Sequence, residues 1–225
     1  MNAAAGRLIV FEGVEGAGKT TQLEWLRARL QRAGLECATF REPGGTPLGN
    51  WIRDGVLAKD WAIDARAEAL LFMASRAQLV ATEIRPALER GALVLIDRFF
   101  LSTYAYQVGG RGLGDEEVRV ANRLATGGLV PDLTLLLELP AKTGLTRAEH
   151  RGPKDRIERA GAGFLQNVAD AFSRFAAPAW QAEHPEAGPV VAVDAVGSPE
   201  EVERRILAVL AQTMPSLGVA LERVA

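Results

Sequence analysis

The residues best suited to chemistry form a glycine-rich run near the start of the chain, which ends in a lysine and a threonine. Residues 13–20 read GVEGAGKT and follow the apolar stretch 8–11. The run matches the phosphate-loop template at all its fixed positions, in the order of strand, loop and helix that the template requires. Glycines let consecutive backbone N–H groups converge on phosphate oxygens at a helix N-terminus. The sequence therefore predicts a site for a nucleoside triphosphate.

The side chains of this loop predict how the nucleotide is held. Lys19 is expected to reach the β- and γ-phosphates, and Thr20 to offer its hydroxyl to Mg²⁺. The other predicted nucleotide contacts are neighbouring positions of the loop, namely Gly13, Val14, Glu15, Gly16, Ala17, Gly18 and Thr21.

An acidic and a basic residue follow the apolar run 93–96 directly. Because ligands gather at the carboxyl ends of strands in open α/β sheets, Asp97 and Arg98 are expected near the phosphates. Arg98 is suited to neutralise a transferring phosphoryl group, and Asp97 either orders Mg²⁺ through water or holds Arg98. The alternative is a structural salt bridge at the end of a strand.

Further candidates lie in the segment 41–46, which reads REPGGT, and in the helical patterns beyond it. Arg53 is placed to point back at an anion from the helix that follows. Phe72 and Arg76 are four residues apart and so share one helix face, which suits a ring that stacks on a base and a guanidinium that bonds its edge. Thr103 and Tyr106 belong to a polar cluster at helical spacing that is suited to a sugar and a base.

Five short apolar runs predict the strands that position these residues, at 8–11, 37–40, 93–96, 133–139 and 190–193. Longer helical patterns separate them, which is typical of a parallel sheet covered on both faces. The predicted fold is therefore α/β, of the P-loop NTPase type, with a five-stranded parallel sheet and helices on both faces. We expect one kinase domain over residues 1–225, with a mobile lid at about 147–163 and a C-terminal tail at about 214–225.

Composition excludes several classes of protein. The 225 residues carry a formal net charge of −2, which argues against a broad surface for a nucleic-acid polymer. Cys37 is the single cysteine, so no intrachain disulfide or cysteine zinc site is expected. The first residues have neither a secretory pattern nor a membrane-spanning stretch. We therefore expect a cytoplasmic protein with small-molecule partners and no membrane contact.

Taken together, these motifs resemble the bacterial thymidylate kinases. The resemblance rests on the loop GVEGAGKTT, on REPGGT, on the helix segment 67–79, and on Asp97-Arg98 followed by LST and AYQ at 101–107. It runs from residue 8 to about residue 158, and more loosely to 210. It implies phosphoryl transfer from ATP, with Mg²⁺, to thymidine 5′-monophosphate (dTMP), on a sheet of five parallel strands with a lid, in a homodimer.

The resemblance also implies a role for each acceptor-site residue. Arg53 and Arg98 would hold the acceptor phosphate, while Phe72 stacks on thymine and Arg76 meets its carbonyl edge. The remaining implied contacts come from Thr103 to the base, from Tyr106 beneath the deoxyribose, where a 2′-hydroxyl would clash, and from Glu15 to the sugar or its metal-bound water.

The lid is expected to supply a cation that the loop lacks. Related eukaryotic-type enzymes have an arginine in the loop where this chain has Gly16, and the bacterial type places a compensating arginine in the lid. Arg151 matches that position, and Arg147 or Arg156 could take its place. The predicted catalytic residues are therefore Lys19, Arg98 and Arg151.

Two alternatives stay open at this point. The first is another nucleoside or nucleotide kinase of the same fold with a different acceptor. The second is a regulatory P-loop ATPase that binds a partner protein. A kinase releases ADP only with its acceptor, whereas a regulatory ATPase does so without one.

Overall fold

A parallel sheet of five strands forms the centre of the fold. The computed structural model describes residues 6–58, 61–149 and 155–223. In this part of the chain the strands are Arg7–Glu12 (β1), Cys37–Arg41 (β2), Leu93–Asp97 (β3), Leu133–Glu138 (β4) and Val190–Asp194 (β5). They pair in the order β2–β3–β1–β4–β5, all parallel, so the expected sheet is confirmed.

Side chains of β1 alternate between two apolar cores. Ile9 and Phe11 pack with the first core, beneath α1 (Lys19–Arg32), α10 (Pro199–Thr213) and α11 (Pro215–Glu222). Leu8 and Val10 pack with the second core on the opposite face. Both faces of the strand are therefore buried, which explains its continuous apolar run.

The remaining helices contribute to the second core or flank it. They are α2 (Pro47–Arg53), α3 (Ala65–Leu79), α4 (Arg85–Glu89), α5 (Phe100–Thr103), α6 (Asp115–Thr126), α7 (Ala141–Glu149), α8 (Ala162–Phe175) and α9 (Pro178–Glu183). π-helical turns extend three of them, with Asp54–Ala58 after α2, Val80–Ile84 after α3 and Tyr104–Gly110 after α5.

Side-chain caps fix where three helices begin. Thr46 Oγ1 accepts a hydrogen bond from the Gly49 N–H at 2.9 Å, and Asp64 accepts one from the Arg66 N–H at 3.0 Å. Ser198 forms a capping box with Glu201 at the start of α10. These caps satisfy N–H groups that have no partner within the helix.

The C-terminal residues form a helix that the sequence pattern did not indicate. Leu217 and Leu221 of α11 are buried in the first core, and Gly218 lies so close to the Ala211 backbone that a Cβ would overlap it. Residues 215–222 therefore pack with α10 against the first core. No helix within the described ranges is long and apolar enough to cross a membrane.

Candidate active site

The phosphate loop joins β1 to α1, and its backbone requires glycine. Gly13, Gly16 and Gly18 have φ values of 137°, 75° and 92°, which residues with a Cβ rarely adopt. A Cβ on Gly16 would also overlap the carbonyl oxygen of Gly144 in α7. A side chain at position 16 is therefore excluded in this arrangement, so a cation at that place has to come from another segment.

The Lys19 ammonium is buried at this loop. Its Nζ donates to the carbonyl oxygens of Gly13 and Val14, each at 2.9 Å, and the Ala17 N–H closes a turn on Val14 at 3.3 Å. Burial, with the nearby charge of Arg98, lowers the pKa of Lys19 to about 8, because desolvation disfavours the charged form. A phosphate in the loop would supply the negative charge that this ammonium needs.

A hydroxyl and a carboxylate meet beside the loop. Phe11 of β1 lies in register with Asp97 at the end of β3, and Thr20 Oγ1 donates to Asp97 Oδ2 at 2.5 Å. Among the residues described, no group of three or more His, Cys, Asp or Glu is placed to hold a metal ion. Mg²⁺ commonly takes one or two protein oxygens and completes its shell with phosphates and water. The two oxygens at this place therefore fit Mg²⁺ that arrives with a nucleotide.

Arg98 has a strained backbone and a tightly held side chain. Its φ is 71°, a left-handed conformation that costs about 1–3 kcal/mol and persists where the surroundings impose it. Its Nη1 donates to Ser102 Oγ at 2.9 Å, and its Nη2 donates to Glu15 and, at 3.3 Å, to the Tyr106 hydroxyl. Asp97 and Arg98 thus turn to different partners, and no salt bridge between them is seen.

Glu12 holds the turn that carries Arg98. This fully buried carboxylate accepts hydrogen bonds from the N–H groups of Phe99 (2.7 Å) and Ser102 (3.0 Å) and from the Ser102 hydroxyl (2.7 Å). It therefore satisfies the N-terminus of α5 and fixes Ser102 against Arg98. The sequence pattern assigned no role to Glu12, although a carboxylate that ends an apolar strand directly before a phosphate loop is a usable signal.

The structure brings the seven residues predicted for acceptor binding to the wall of one cavity. They are Glu15, Arg53, Phe72, Arg76, Arg98, Thr103 and Tyr106. A second cavity contains Lys19, Thr20 and Asp97 and shares Glu15, Glu42, Arg53 and Arg98 with the first. The two cavities therefore adjoin at two carboxylates and two guanidinium groups.

Arg53 and Arg98 bring two guanidinium groups to this junction. Arg53 donates to the Pro43 carbonyl at 3.0 Å. Burial, with the charges of Arg41 and Arg98, lowers the pKa of Arg53, while Asp155 and Glu15 act in the opposite direction. Burial is the larger cause and the neighbouring guanidinium groups add to it, because both disfavour the charged form of Arg53. An anion such as a phosphate would relieve this repulsion.

Arg76 lines the first cavity, but the protein itself fills its hydrogen-bonding capacity. Its Nε donates to Glu42 Oε2 at 2.7 Å, and its Nη2 donates to Glu42 and, at 2.8 Å, to the Phe99 carbonyl. Its Nη1 donates to Thr103 Oγ1 at 2.8 Å and to Asn122. All five N–H groups of the guanidinium are thus used. Its contact with thymine remains a prediction and would require it to exchange or share a partner.

The structure also shows what Glu42 of the REPGGT segment contacts. Its carboxylate is buried with Arg76, and burial raises the pKa of Glu42 although Arg76 acts to lower it. One of its oxygens, Oε1, is buried without a hydrogen-bond partner. The REPGGT segment is part of the family resemblance, but the partner of Glu42 lies 34 residues away, so the segment itself does not reveal it.

The aromatic side of the cavity is formed by Phe72 and Tyr106. The Tyr106 ring lies under the Arg98 guanidinium, with 5.3 Å between the ring centroid and the guanidinium carbon. The same ring packs with the rings of Phe164 and Phe172. Burial raises the pKa of Tyr106, so its hydroxyl stays protonated. Phe72 is only partly buried and exposes part of its ring to the cavity.

A third cavity also adjoins the phosphate loop. It is lined by Gly16, Gly18 and Thr21 and continues to Arg147 of α7 and Gly197. The Arg147 guanidinium donates to the carbonyl oxygens of Ala195 and Gly197 at 3.5 and 3.4 Å. Arg156 instead pairs with Glu68. Arg151 lies outside the described residues, so its predicted role stays a prediction.

Comparisons with known proteins give one consistent result. A model of the family described as thymidylate kinase matches residues 11–206. The chain is 51% identical to the thymidylate kinase of Pseudomonas fluorescens over 177 residues, which cover 78% of this chain and 84% of that protein. It is 46% identical to the thymidylate kinase of Pseudomonas putida and 45% identical to that of Deinococcus radiodurans. Each of these two matches spans 207 residues and 92% of this chain, with 95% of the first protein and 97% of the second covered.

Proposed function

Because the chain belongs to the thymidylate kinase family and is a phosphotransferase that converts dTMP to dTDP, we propose that Mg-ATP is its donor and that the adjoining cavities hold the two nucleotides for direct in-line transfer. The match of the family model and the identity to relatives across most of their length support the reaction.

The observation that carries the proposal is the junction between the two cavities. The phosphate loop lines one cavity, the predicted acceptor residues line the other, and both share Glu15, Glu42, Arg53 and Arg98. Two phosphate groups bound on either side would meet at the guanidinium groups of this junction. Phosphoryl transfer depends mainly on such positioning and charge neutralisation.

On the donor side, the phosphate loop from Gly13 to Thr21 would bind the triphosphate of ATP. Lys19 would contact the β- and γ-phosphates, and the third cavity, with Arg147 at its far end, would take the donor base. Thr20 and Asp97 would hold Mg²⁺, which, when bound, neutralises charge on the phosphates.

On the acceptor side, Arg53 and Arg98 would bind the phosphate of dTMP. Phe72 would stack on the thymine ring, whose edge Thr103 and Arg76 would meet. The buried ring of Tyr106 would lie beneath the deoxyribose and exclude a 2′-hydroxyl. Glu15, paired with Arg98, would approach the sugar or its metal-bound water.

The reaction requires no dedicated general base at this site. An acceptor phosphate is already a nucleophile near neutral pH, so orientation by Arg53 and Arg98 supplies most of what the chain must contribute. Gly16 leaves the loop without a side-chain cation, and we propose that Arg151 of the lid at 147–163 neutralises charge in the transition state.

We further propose that the chain acts as one domain in a cytoplasmic homodimer without nucleic-acid or membrane partners. Three large apolar side chains are exposed on α3 and α6, which pack against each other, namely Leu70 (62% exposed), Val120 (59%) and Leu124 (83%). Exposed apolar side chains on neighbouring elements are typical of interaction surfaces. A second copy of the chain would cover them.

A coupled assay of ADP release with dTMP, dUMP, dGMP or UMP as acceptor tests the proposal. We expect release that depends on the acceptor and is fastest with dTMP. Release without any acceptor would indicate a regulatory ATPase. A preference for dGMP or UMP would indicate a kinase with another acceptor, and either result would overturn the proposal.

A further inference from the structure

Glu68 is a fully buried carboxylate that joins three separate segments. It lies on α3, and its Oε1 and Oε2 each accept a hydrogen bond at 3.0 Å from the Arg111 guanidinium. Gln107 donates to Oε1 at 3.1 Å, and Arg156 donates to Oε2. Burial acts to raise the pKa of Glu68, but the hydrogen bonds and charges of the two arginines outweigh it and lower the pKa. The group is therefore ionised and paired on both oxygens.

Arg156 connects this carboxylate to a wall of the acceptor cavity. Its Nε donates to the Val56 carbonyl at 2.7 Å, and its backbone N–H donates to the Leu57 carbonyl at 3.1 Å. Its neighbours Asp155 and Ile157 both line the cavity. Arg156 thus attaches one side of the cavity to α3 and to the π-helical turn after α2.

The turn that contains Arg156 is organised by Asp155. The Asp155 side chain accepts hydrogen bonds at 2.8 Å from the N–H groups of Ile157 and Glu158. Ile157 is buried and packs into the second core. A displacement of Arg156 would therefore move Asp155 and Ile157 with it.

The spacing on α3 relates Glu68 to the base site. Glu68, Phe72 and Arg76 follow one another at intervals of four residues, so they lie along one face of the helix. Two buried ion networks therefore flank the Phe72 ring, one around Glu68 and one around Arg76. The Arg76 network includes Thr103 of the cavity wall. Glu68 itself does not line the cavity, and it reaches the wall through Gln107, which lines it, and through Arg156, which does not but carries Asp155 and Ile157.

We propose that Glu68 is a positioning residue for acceptor binding, because through Arg156 it holds the turn of Asp155 and Ile157 against the acceptor cavity. This inference rests on the proposed function of that cavity. It assigns Arg156 to the geometry of the acceptor site and not to the transferring phosphoryl group.

Arg111 provides a matched control, because it pairs with the same carboxylate without carrying a cavity wall. Its guanidinium packs on the Phe164 ring at 4.5 Å, and it does not line the acceptor cavity. Substitution of either arginine leaves Glu68 with the other one, so neither variant buries an unpaired carboxylate. Both variants remove one ion pair, but only the Arg156 variant releases the cavity wall.

Steady-state kinetics of the full chain test the inference with Arg156→Ala, Arg156→Lys and Arg111→Ala. We expect Arg156→Ala to raise the KM for dTMP about tenfold or more, with kcat and the KM for ATP within about threefold of wild type. Arg156→Lys should recover part of the change, and Arg111→Ala should lower the Tm while its KM for dTMP stays within about threefold. Hydrogen exchange should become faster at residues 155–160 in Arg156→Ala only.

Three results would overturn the inference. An unchanged KM for dTMP in Arg156→Ala would remove the positioning role, and an equal rise in Arg111→Ala would show a general effect of the cluster on stability. A fall in kcat of about 100-fold with the KM for dTMP unchanged would place Arg156 at the transferring group instead. A wild-type chain that does not phosphorylate dTMP would overturn the proposed function, while hydrogen exchange would still test how the turn is held.

Discussion

The guanidinium of Arg76 and the carboxylate of Glu42 form an ion pair inside the protein, with side chains only 3% and 5% exposed and Nε donating to Oε2 at 2.7 Å. The pair links the segment after β2 to α3 at the acceptor cavity. Because each charge depends on the other for compensation, stability is coupled here to the base recognition that we propose for Arg76.

Removal of one partner of this pair should destabilise the protein strongly. Glu42→Ala leaves the Arg76 guanidinium buried without its counter-ion, at an expected cost of about 3–5 kcal/mol in urea unfolding. The double variant Glu42→Leu with Arg76→Met should recover most of that stability, yet its KM for dTMP should stay raised because Arg76 is absent. A double variant with a normal KM for dTMP would contradict the role of Arg76 at the base.

Binding of ATP should be coupled to proton uptake by Lys19. Because the pKa of Lys19 is about 8 in the free protein, about half of its side chains are neutral at pH 8. Phosphates would raise that pKa, so we expect uptake of about half a proton per site at pH 8 and almost none at pH 6.5. Titration calorimetry at pH 8 in two buffers with different ionisation enthalpies measures the uptake.

Lys19→Met is the control for this coupling. It should take up no proton at pH 8 and should lose turnover by orders of magnitude. Since the pKa of Lys19 is lowered on folding, the unfolded chain binds more protons between about pH 8 and pH 10, and Lys19 destabilises the free protein below pH 8. Lys19→Met should therefore be more stable than wild type at pH 7, with a smaller difference at pH 10. Equal proton uptake in both proteins would assign the lowered pKa to another group.

Substitution of Asp97 should change the demand for Mg²⁺. Asp97→Asn keeps an oxygen that accepts the Thr20 hydrogen bond but removes the charge that attracts the cation. We expect the half-saturating Mg²⁺ concentration to rise about tenfold or more at saturating ATP and dTMP, with little change in Tm. An unchanged Mg²⁺ dependence would show that Asp97 serves only to hold Thr20.

Arg151→Ala should lower kcat by about two to three powers of ten, with much smaller changes in either KM. Arg147→Ala is its matched control, because Arg147 is already bound to the carbonyl oxygens of Ala195 and Gly197 beside the third cavity. That variant should raise the KM for ATP and largely keep kcat. A kcat within about threefold of wild type for Arg151→Ala would reject its catalytic role.

Leu124→Asp should convert the proposed dimer to a monomer, because it places a charge on the exposed apolar side chains of α6. Val219→Asp is the control, since Val219 is 51% exposed on α11, which covers the opposite face of the sheet. Sedimentation velocity measures both. A wild-type monomer, or a Leu124→Asp dimer, would contradict the proposed surface.

The phosphate loop and the five strands could be predicted from the sequence because each depends on residues that are near neighbours in the chain. Gly13 to Thr20 is a contiguous template, and Asp97 ends a continuous apolar run. The spacing of Phe72 and Arg76 places them on one helix face by geometry alone. Because strands of a parallel sheet end on one edge, the same local signals also indicate that the acceptor residues gather in one place.

The tertiary structure decided which distant groups hold these residues. The N–H groups of Arg76 are filled by residues that lie 23 to 46 positions away, and Glu68 meets Arg111 and Arg156 at separations of 43 and 88. Glu12 reaches Phe99 and Ser102 only because β1 and β3 are adjacent. No local pattern encodes such pairs, since a buried charge takes whichever partner the packing of separate segments brings within hydrogen-bonding distance.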